Sequence, residues 1–197
     1  MNYLIPLMGY LFGSVSSAII VAKMMGLDDP RTQGSGNPGA TNVLRLGGKK
    51  AAIITLAGDV LKGLLPVIIA KSISDDPLIL ALTAFATFLG HLYPVFFGFK
   101  GGKGVATAIG AIIGLSPAMA GLLFISWLAV AIITRYSSLA ALMASAAAPV
   151  YAWWLGLPAQ IIFAILLIAI MLFWRHRENI SRLLAGGESK INLGKTQ

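Results

Sequence analysis

Apolar residues run along the chain in seven blocks, at about 4–24, 51–70, 78–97, 105–114, 117–134, 139–155 and 158–174, and polar residues arrive in bursts between them. A helix crosses roughly 30 Å of hydrocarbon with about 17–25 apolar residues, and six of the blocks meet that need. Block 105–114 reaches only about 15 Å at the helical rise of roughly 1.5 Å per residue. It is either a half-depth helix or a crossing in thinned surroundings, and its far boundary is the Ser116-Pro117 step. The pattern predicts an all-α integral membrane protein. We expect a bundle of about seven transmembrane helices, one of them short or half-depth, in a single polytopic domain over residues 1–197. No internal duplication is visible. The first block lacks a basic leading region and a small-residue cleavage site, so it reads as a retained span.

Composition agrees with the pattern. Of 197 residues, 57% are apolar and 11% charged, where a soluble domain carries roughly 25% charged residues. A formal charge of +8 would suggest nucleic acid in a polar protein. Here anionic headgroups explain it, and no nucleic-acid partner is expected. If the seven blocks alternate in direction, one side collects Arg31, Arg45, Lys49, Lys50, Lys100, Lys103, Arg135, Arg175, Arg177, Arg182, Lys190 and Lys195. The other side's clearest charges are Lys71, Asp75 and Asp76. The positive-inside rule then puts the basic side in the cytoplasm and the N-terminus outside.

Several chemistries drop out. The absence of cysteine removes disulfides, thiolate metal sites and thiol nucleophiles. Two histidines and seven scattered acidic residues build no tri-histidine zinc site, so neither metal nor cofactor is expected. No G-x-S-x-G elbow supports a serine hydrolase.

Three polar segments are expected on the cytoplasmic face. The first, residues 34–45, reads as a loop opening a short helix, with Asn37 as cap, Pro38 at the first helical position and Gly47-Gly48 as the stop. Thr41, Asn42 and Arg45 then share one side of the turn. Backbone N–H groups at such a start suit anionic oxygens, and a well-capped surface loop is the alternative. The second segment, residues 98–107, sets Gly98, Lys100, Gly101, Gly102, Lys103 and Gly104 before a helical run. It is like a phosphate cradle but not a nucleotide P-loop, because Gly104 stands where Ser or Thr would hold magnesium. A hinge between helices is the other reading. The third segment, residues 175–188, places His176 and Asn179 on one helical face, with Glu178 in reach of Arg175 and Arg182. A basic anchor for acidic lipids competes with a ligand-binding role there. Within the spans, Asp59 and Lys62 lie one turn apart and are expected to pair, and His91 is expected to be a packed, hydrogen-bonded residue. The small residues of 140–148 are expected to pack spans closely.

The order of these segments, with Asp59, Lys62 and Gly90-His91 between them, resembles the bacterial membrane acyl-phosphate:glycerol-3-phosphate acyltransferase family over nearly the whole chain. The resemblance implies transfer of a fatty acyl group from acyl phosphate to the 1-hydroxyl of sn-glycerol 3-phosphate. Lysophosphatidic acid and inorganic phosphate are the implied products, at the first acylation of phospholipid biosynthesis in the bacterial inner membrane. Membrane lipid is a partner, and neither acyl-CoA nor acyl carrier protein is the implied direct donor. The His-x4-Asp motif of other glycerolipid acyltransferases is missing, since Phe96 and Ser181 occupy the relevant positions.

Electrostatics fits that chemistry. Two phosphates of charge near −2 held about 6 Å apart repel by roughly 11 kcal/mol at an effective dielectric of about 20. Arg45, Lys103 and the backbone N–H groups near Gly36–Gly39 and Gly101–Gly104 are the candidates to offset this. Ser35 is expected to donate a hydrogen bond to a phosphate or oxyanion rather than to be acylated. His176 accepts the hydroxyl proton or orients the glycerol, and Asn179 binds a hydroxyl. The expected catalytic set is therefore Ser35, Arg45, Lys103, His176 and Asn179. Gly36, Asn37, Gly39, Thr41, Asn42, Gly101, Gly102, Gly104 and Arg177 are expected to contact substrate, and Glu178, Asp59 and Lys62 to hold structure. An organophosphate transporter is the rival class, but it would place polar groups near mid-membrane in repeated halves.

Overall fold

The computed structural model describes residues 4–191; Lys195, counted above on the basic side, lies outside them. The described residues are all-helical: α1 Leu4–Gly13, α2 Ser17–Met24, α3 Ala40–Ile73, α4 Pro77–Leu92, a 3₁₀ turn Val95–Phe97, α5 Val105–Leu115, α6 Pro117–Thr134, α7 Ser137–Trp154, α8 Ala159–Arg175 and α9 Arg177–Leu184. Every apolar block became helix. Four stretches are long and apolar enough to cross a membrane alone, namely Leu4–Met24, α3, Pro77–Phe97 and α6, and α8 joins them when taken with α9 across a bend of 57°. The chain is a multi-pass membrane protein. Its contacts fall into two compact units, one ending at Pro117 and one beginning at Ala118.

In the first unit, α3 is two helices joined at a kink. Gly48 has φ 72° and ψ −172°, a left-handed twist that glycine adopts at little cost. It separates a short helix over 40–47 from the long apolar run 49–73, as the Gly47-Gly48 pair predicts. The turn 74–76 returns the chain into α4, capped by Asp76 Oδ1 accepting from Leu78 N at 2.9 Å, so Asp75 and Asp76 lie at the end of α3 away from its basic start. Helix α5 runs parallel to the second half of α3. A methyl on Gly110 would strike the Val60 carbonyl, and Lys71 Nζ donates to Leu115 O at 2.9 Å. Block 105–114 is thus a short helix of 11 residues, Val105–Leu115, beginning beside the middle of α3.

The first apolar block departs from the expected single helix. It breaks at 14–16, where Ser16 takes extended φ/ψ of −87° and 94°. The break leaves the Val15 carbonyl outside the helical ladder, and Lys62 Nζ donates to it at 2.7 Å. The same ammonium pairs with Asp59 Oδ1 at 2.8 Å, and both side chains are almost completely enclosed. One buried cation thus satisfies a carboxylate and a broken helix. Lys62→Met is expected to destabilise the protein by about 3–5 kcal/mol, because it takes the nearest cation from a buried carboxylate. Thermal unfolding in detergent measures this, and Asp59→Leu in the same chain should restore part of the loss.

In the second unit, α7 packs on α8. Ala140, Ala141, Ala144, Ala148 and Ala152 are buried, so the small residues bring the backbones close.

Candidate active site

Two glycine-bearing segments meet in the first unit. The loop 28–39 is tied down at both ends. Arg31 forms a bidentate pair with Asp29, with Nη2 to Oδ2 at 2.6 Å, and its Nη1 donates to Phe97 O at 3.0 Å, just before the second glycine segment. The Arg31 guanidinium, outweighing partial burial, holds the Asp29 carboxyl below its ordinary 3.8. Asn42 braces the loop from inside: its Oδ1 accepts from Ser35 N at 2.9 Å, and its Nδ2 donates to Pro30 O at 2.8 Å and to Gln33 O at 2.9 Å. Asn42 was expected to contact substrate, but the geometry gives it the work of shaping the loop that carries Ser35 and Gly36.

The helix after this loop starts two residues later than the sequence suggests. Gly39, not Asn37, is the cap residue, with extended φ/ψ of −147° and 164° and no side-chain cap bond. Asn37 instead closes a tight turn, its carbonyl accepting from Gly39 N at 2.9 Å. The Pro38 carbonyl points toward Gly102, and a methyl on Gly102 would lie 3.0 Å from it and overlap His91 Nε2. No residue larger than glycine fits between the loop and that ring. Gly101 N and Gly102 N donate to Leu92 O and His91 O, both at 3.2 Å, so these amides hold the segment against the end of α4. Gly101, Gly102 and Gly104 are buried and Lys103 is partly exposed, while Ser35, Gly36, Thr41 and Arg45 are exposed. Helix α5 opens at Gly104 without a side-chain cap.

An apolar groove of about 280 Å³ starts at Ala40, Thr41 and Lys49 and runs along α3 past Ala52 and Ile53 to Leu56. It joins the polar start of α3 to the exposed Ile53 and Leu56 of the long apolar run.

In the second unit, α8 ends at Arg175 and the chain turns at His176, so the third segment is bent rather than one continuous helix. His176 and Asn179 are both buried. His176 Nδ1 is 2.8 Å from Leu172 O. Arg177 is exposed, with its guanidinium 4.9 Å from the centroid of the Trp174 ring. Glu178 was expected to fix the tail by ion pairing. It is exposed, and no ion pair to it occurs among the described residues. Glu188 does that work: its carboxylate accepts from Asn179 Nδ2 at 2.6 Å, Ser138 Oγ at 2.7 Å and Arg182 Nε at 2.7 Å. The Gly186-Gly187 turn brings Glu188 back against its own helix, which a count of helical spacings does not reveal.

Burial pushes the Glu188 carboxyl up, but the hydrogen bonds from Ser138, Asn179 and Arg182 outweigh it and hold the group below its ordinary 4.5. The depressed value means that the stabilisation is present above pH 4.5 and is lost as pH falls through the folded-state value. Glu188→Ala is expected to lower the yield of folded protein, whereas Glu178→Ala leaves Tm within about 1 °C, as exposed substitutions do. Equal losses in the two variants would contradict this division.

The fold defines a multi-pass membrane protein in which two glycine-bearing loops meet beside an apolar groove. Residues 3–186 match the family described as glycerol-3-phosphate acyltransferase. The chain belongs to that family. It is 55% identical over 189 residues to the glycerol-3-phosphate acyltransferase of Methylococcus capsulatus, covering 95% of this chain and 94% of that one. Among solved structures it is similar to the crystal structure of PlsY (YgiH), an integral membrane glycerol 3-phosphate acyltransferase, in its glycerol 3-phosphate form. There the TM-score is 0.93 at 43% identity, over 97% of this chain and 96% of that one. The lysophosphatidic acid form of the same enzyme matches with a TM-score of 0.90 at 43% identity, over 96% and 94%.

Proposed function

We propose that this protein transfers a fatty acyl group from acyl phosphate to the 1-hydroxyl of sn-glycerol 3-phosphate, giving lysophosphatidic acid and inorganic phosphate. The observation that supports the reading is the contact of the two glycine loops, with Gly102 packed against the Pro38 carbonyl and His91, at the end of α3 where the apolar groove begins. Phosphoryl oxygens stand beside Arg45 and Lys103 there, and an acyl chain lies along 52–56 in the groove; the Gly101 and Gly102 amides, expected to meet phosphate, donate to Leu92 O and His91 O instead. The glycerol 3-phosphate of the PlsY structure fits the same charge pattern.

In the reaction the glycerol 1-oxygen attacks the acyl carbonyl carbon, the bond from that carbon to the phosphate oxygen breaks, and phosphate leaves. Phosphate is a good leaving group from an acyl anhydride, so placing the hydroxyl and stabilising the oxyanion are the larger needs. Arg45 and Lys103 neutralise phosphate charge, and Ser35 donates to a phosphate or to the oxyanion. The departing phosphate takes the hydroxyl proton. The chain needs no cofactor for this and uses neither acyl-CoA nor acyl carrier protein directly.

Orientation is part of the proposal: the glycine loops face the cytoplasm of the bacterial inner membrane and the N-terminus lies outside. The chain has no cysteine, so Gln33→Cys and Asp75→Cys give single labelling sites at opposite ends of the first unit. Gln33→Cys should react only from the cytoplasmic side and Asp75→Cys only from outside, and the reverse pattern contradicts the reading. Intact mass after a single turnover should show no acyl adduct on the protein. An adduct on Ser35 would replace direct transfer by a covalent route.

A further inference from the structure

His91 is a buried titratable side chain that the reaction above does not use. It is 6% exposed, in the last turn of α4. One edge of its ring is tethered: Nδ1 lies 3.1 Å from Thr107 Oγ1 on α5 and 3.7 Å from Asp59 Oδ1 on α3. The other edge lies against Gly102, where an added methyl would overlap Nε2 and come within 3.1 Å of Cε1. The His91 carbonyl also accepts from Gly102 N at 3.2 Å. One residue therefore holds the second glycine segment by backbone and by ring. The Pro38 carbonyl of the first loop lies 3.0 Å from the same added methyl, so loop and ring both close on Gly102.

We propose that His91 is a positioning residue for acyl transfer: its ring, fixed by Thr107 and Asp59, sets where residues 101–103 stand against the first glycine loop. The proposal rests on reading 98–104 as a phosphate-binding segment. A shift of about 1 Å in such a segment costs up to roughly 100-fold in rate, so the height of the buttress registers in catalysis. A side chain that only fills space lowers Tm and the folded fraction but leaves the KM of the folded enzyme unchanged.

The test uses the purified full chain with His91→Gln, Thr107→Val, the two combined, and Lys103→Ala. Tyr10→Phe serves as control, because it removes the bond from Tyr10 Oη to Tyr93 O, 2.7 Å long at the same end of α4, without touching the ring. Tm, kcat and KM are measured for both phosphate-bearing substrates. His91→Gln is expected to raise at least one KM about tenfold, Thr107→Val by a smaller factor, and the double variant no further than His91→Gln, as for two groups acting through one contact. Tyr10→Phe should keep both KM values. Unchanged KM in folded His91→Gln, effects that multiply in the double variant, or no folded protein from either single variant overturns the proposal. Lys103→Ala separates the two levels of failure. A raised KM there with normal His91→Gln leaves the phosphate segment standing without its buttress, and a normal KM in both removes the phosphate reading as well.

Discussion

Replacing Lys103 with alanine is expected to lower kcat/KM for glycerol 3-phosphate by about 100- to 1,000-fold, the usual cost of removing one donor or cation from a preorganised anion site. The protein should still purify folded, because Lys103 is partly exposed and the segment around it is held by backbone bonds from Gly101 and Gly102 to the end of α4. The effect follows from charge: roughly 11 kcal/mol of phosphate repulsion at an effective dielectric of about 20 needs cations close by. Arg45→Ala belongs to the same experiment and should behave alike, since Arg45 is exposed on the short helix over 40–47. Steady-state kinetics beside a thermal melt settles the matter. Normal kinetics in both folded variants would remove both residues from the site.

Gly102→Ala is expected to act as strongly by a different route. The added methyl would meet His91 Nε2 and the Pro38 carbonyl, one on α4 and one on the first loop. Neither can yield easily, because the imidazole is held near Thr107 and Asp59 and the loop is pinned through Asn42 and Arg31. The two glycine segments must therefore separate. A misplacement of about 1 Å costs on the order of 100-fold, so activity should fall by at least that factor while the helices stay folded. Full activity in Gly102→Ala would show that the segments do not act together. By contrast, Gly121→Ala adds a methyl that meets nothing within 4 Å and should be silent.

The helices were legible because seven apolar blocks separated by bursts of polarity leave a chain in lipid no other way to satisfy its backbone. The kink at Gly48 and the short helix Val105–Leu115 followed from the same reading, one from a glycine pair and one from the length of its block. What was not legible came from contacts between distant parts of the chain. The break at 14–16 depends on Lys62, some 47 residues later, taking the Val15 carbonyl. Asn37 has the chemistry of a helix cap, but Asn42, inside the helix, shapes the loop and moves the start to Gly39. Glu178 has helical spacing to two arginines, yet Glu188 wins Arg182 because the glycine turn folds it back and adds bonds from Ser138 and Asn179. Spacing along a helix reports which groups can meet, and the turns decide which do.

The place of Thr107 beside the second glycine segment was not legible. A threonine in an apolar helix is unremarkable until its hydroxyl is found 3.1 Å from the ring that supports the glycine segment.

The account depends most directly on the donor. Purified protein in detergent should be given acyl phosphate and glycerol 3-phosphate and nothing else, with inorganic phosphate and lysophosphatidic acid measured together. One phosphate released for each lysophosphatidic acid formed is the predicted result; acylation of glycerol 3-phosphate from acyl-CoA or acyl carrier protein, with none from acyl phosphate, would contradict it.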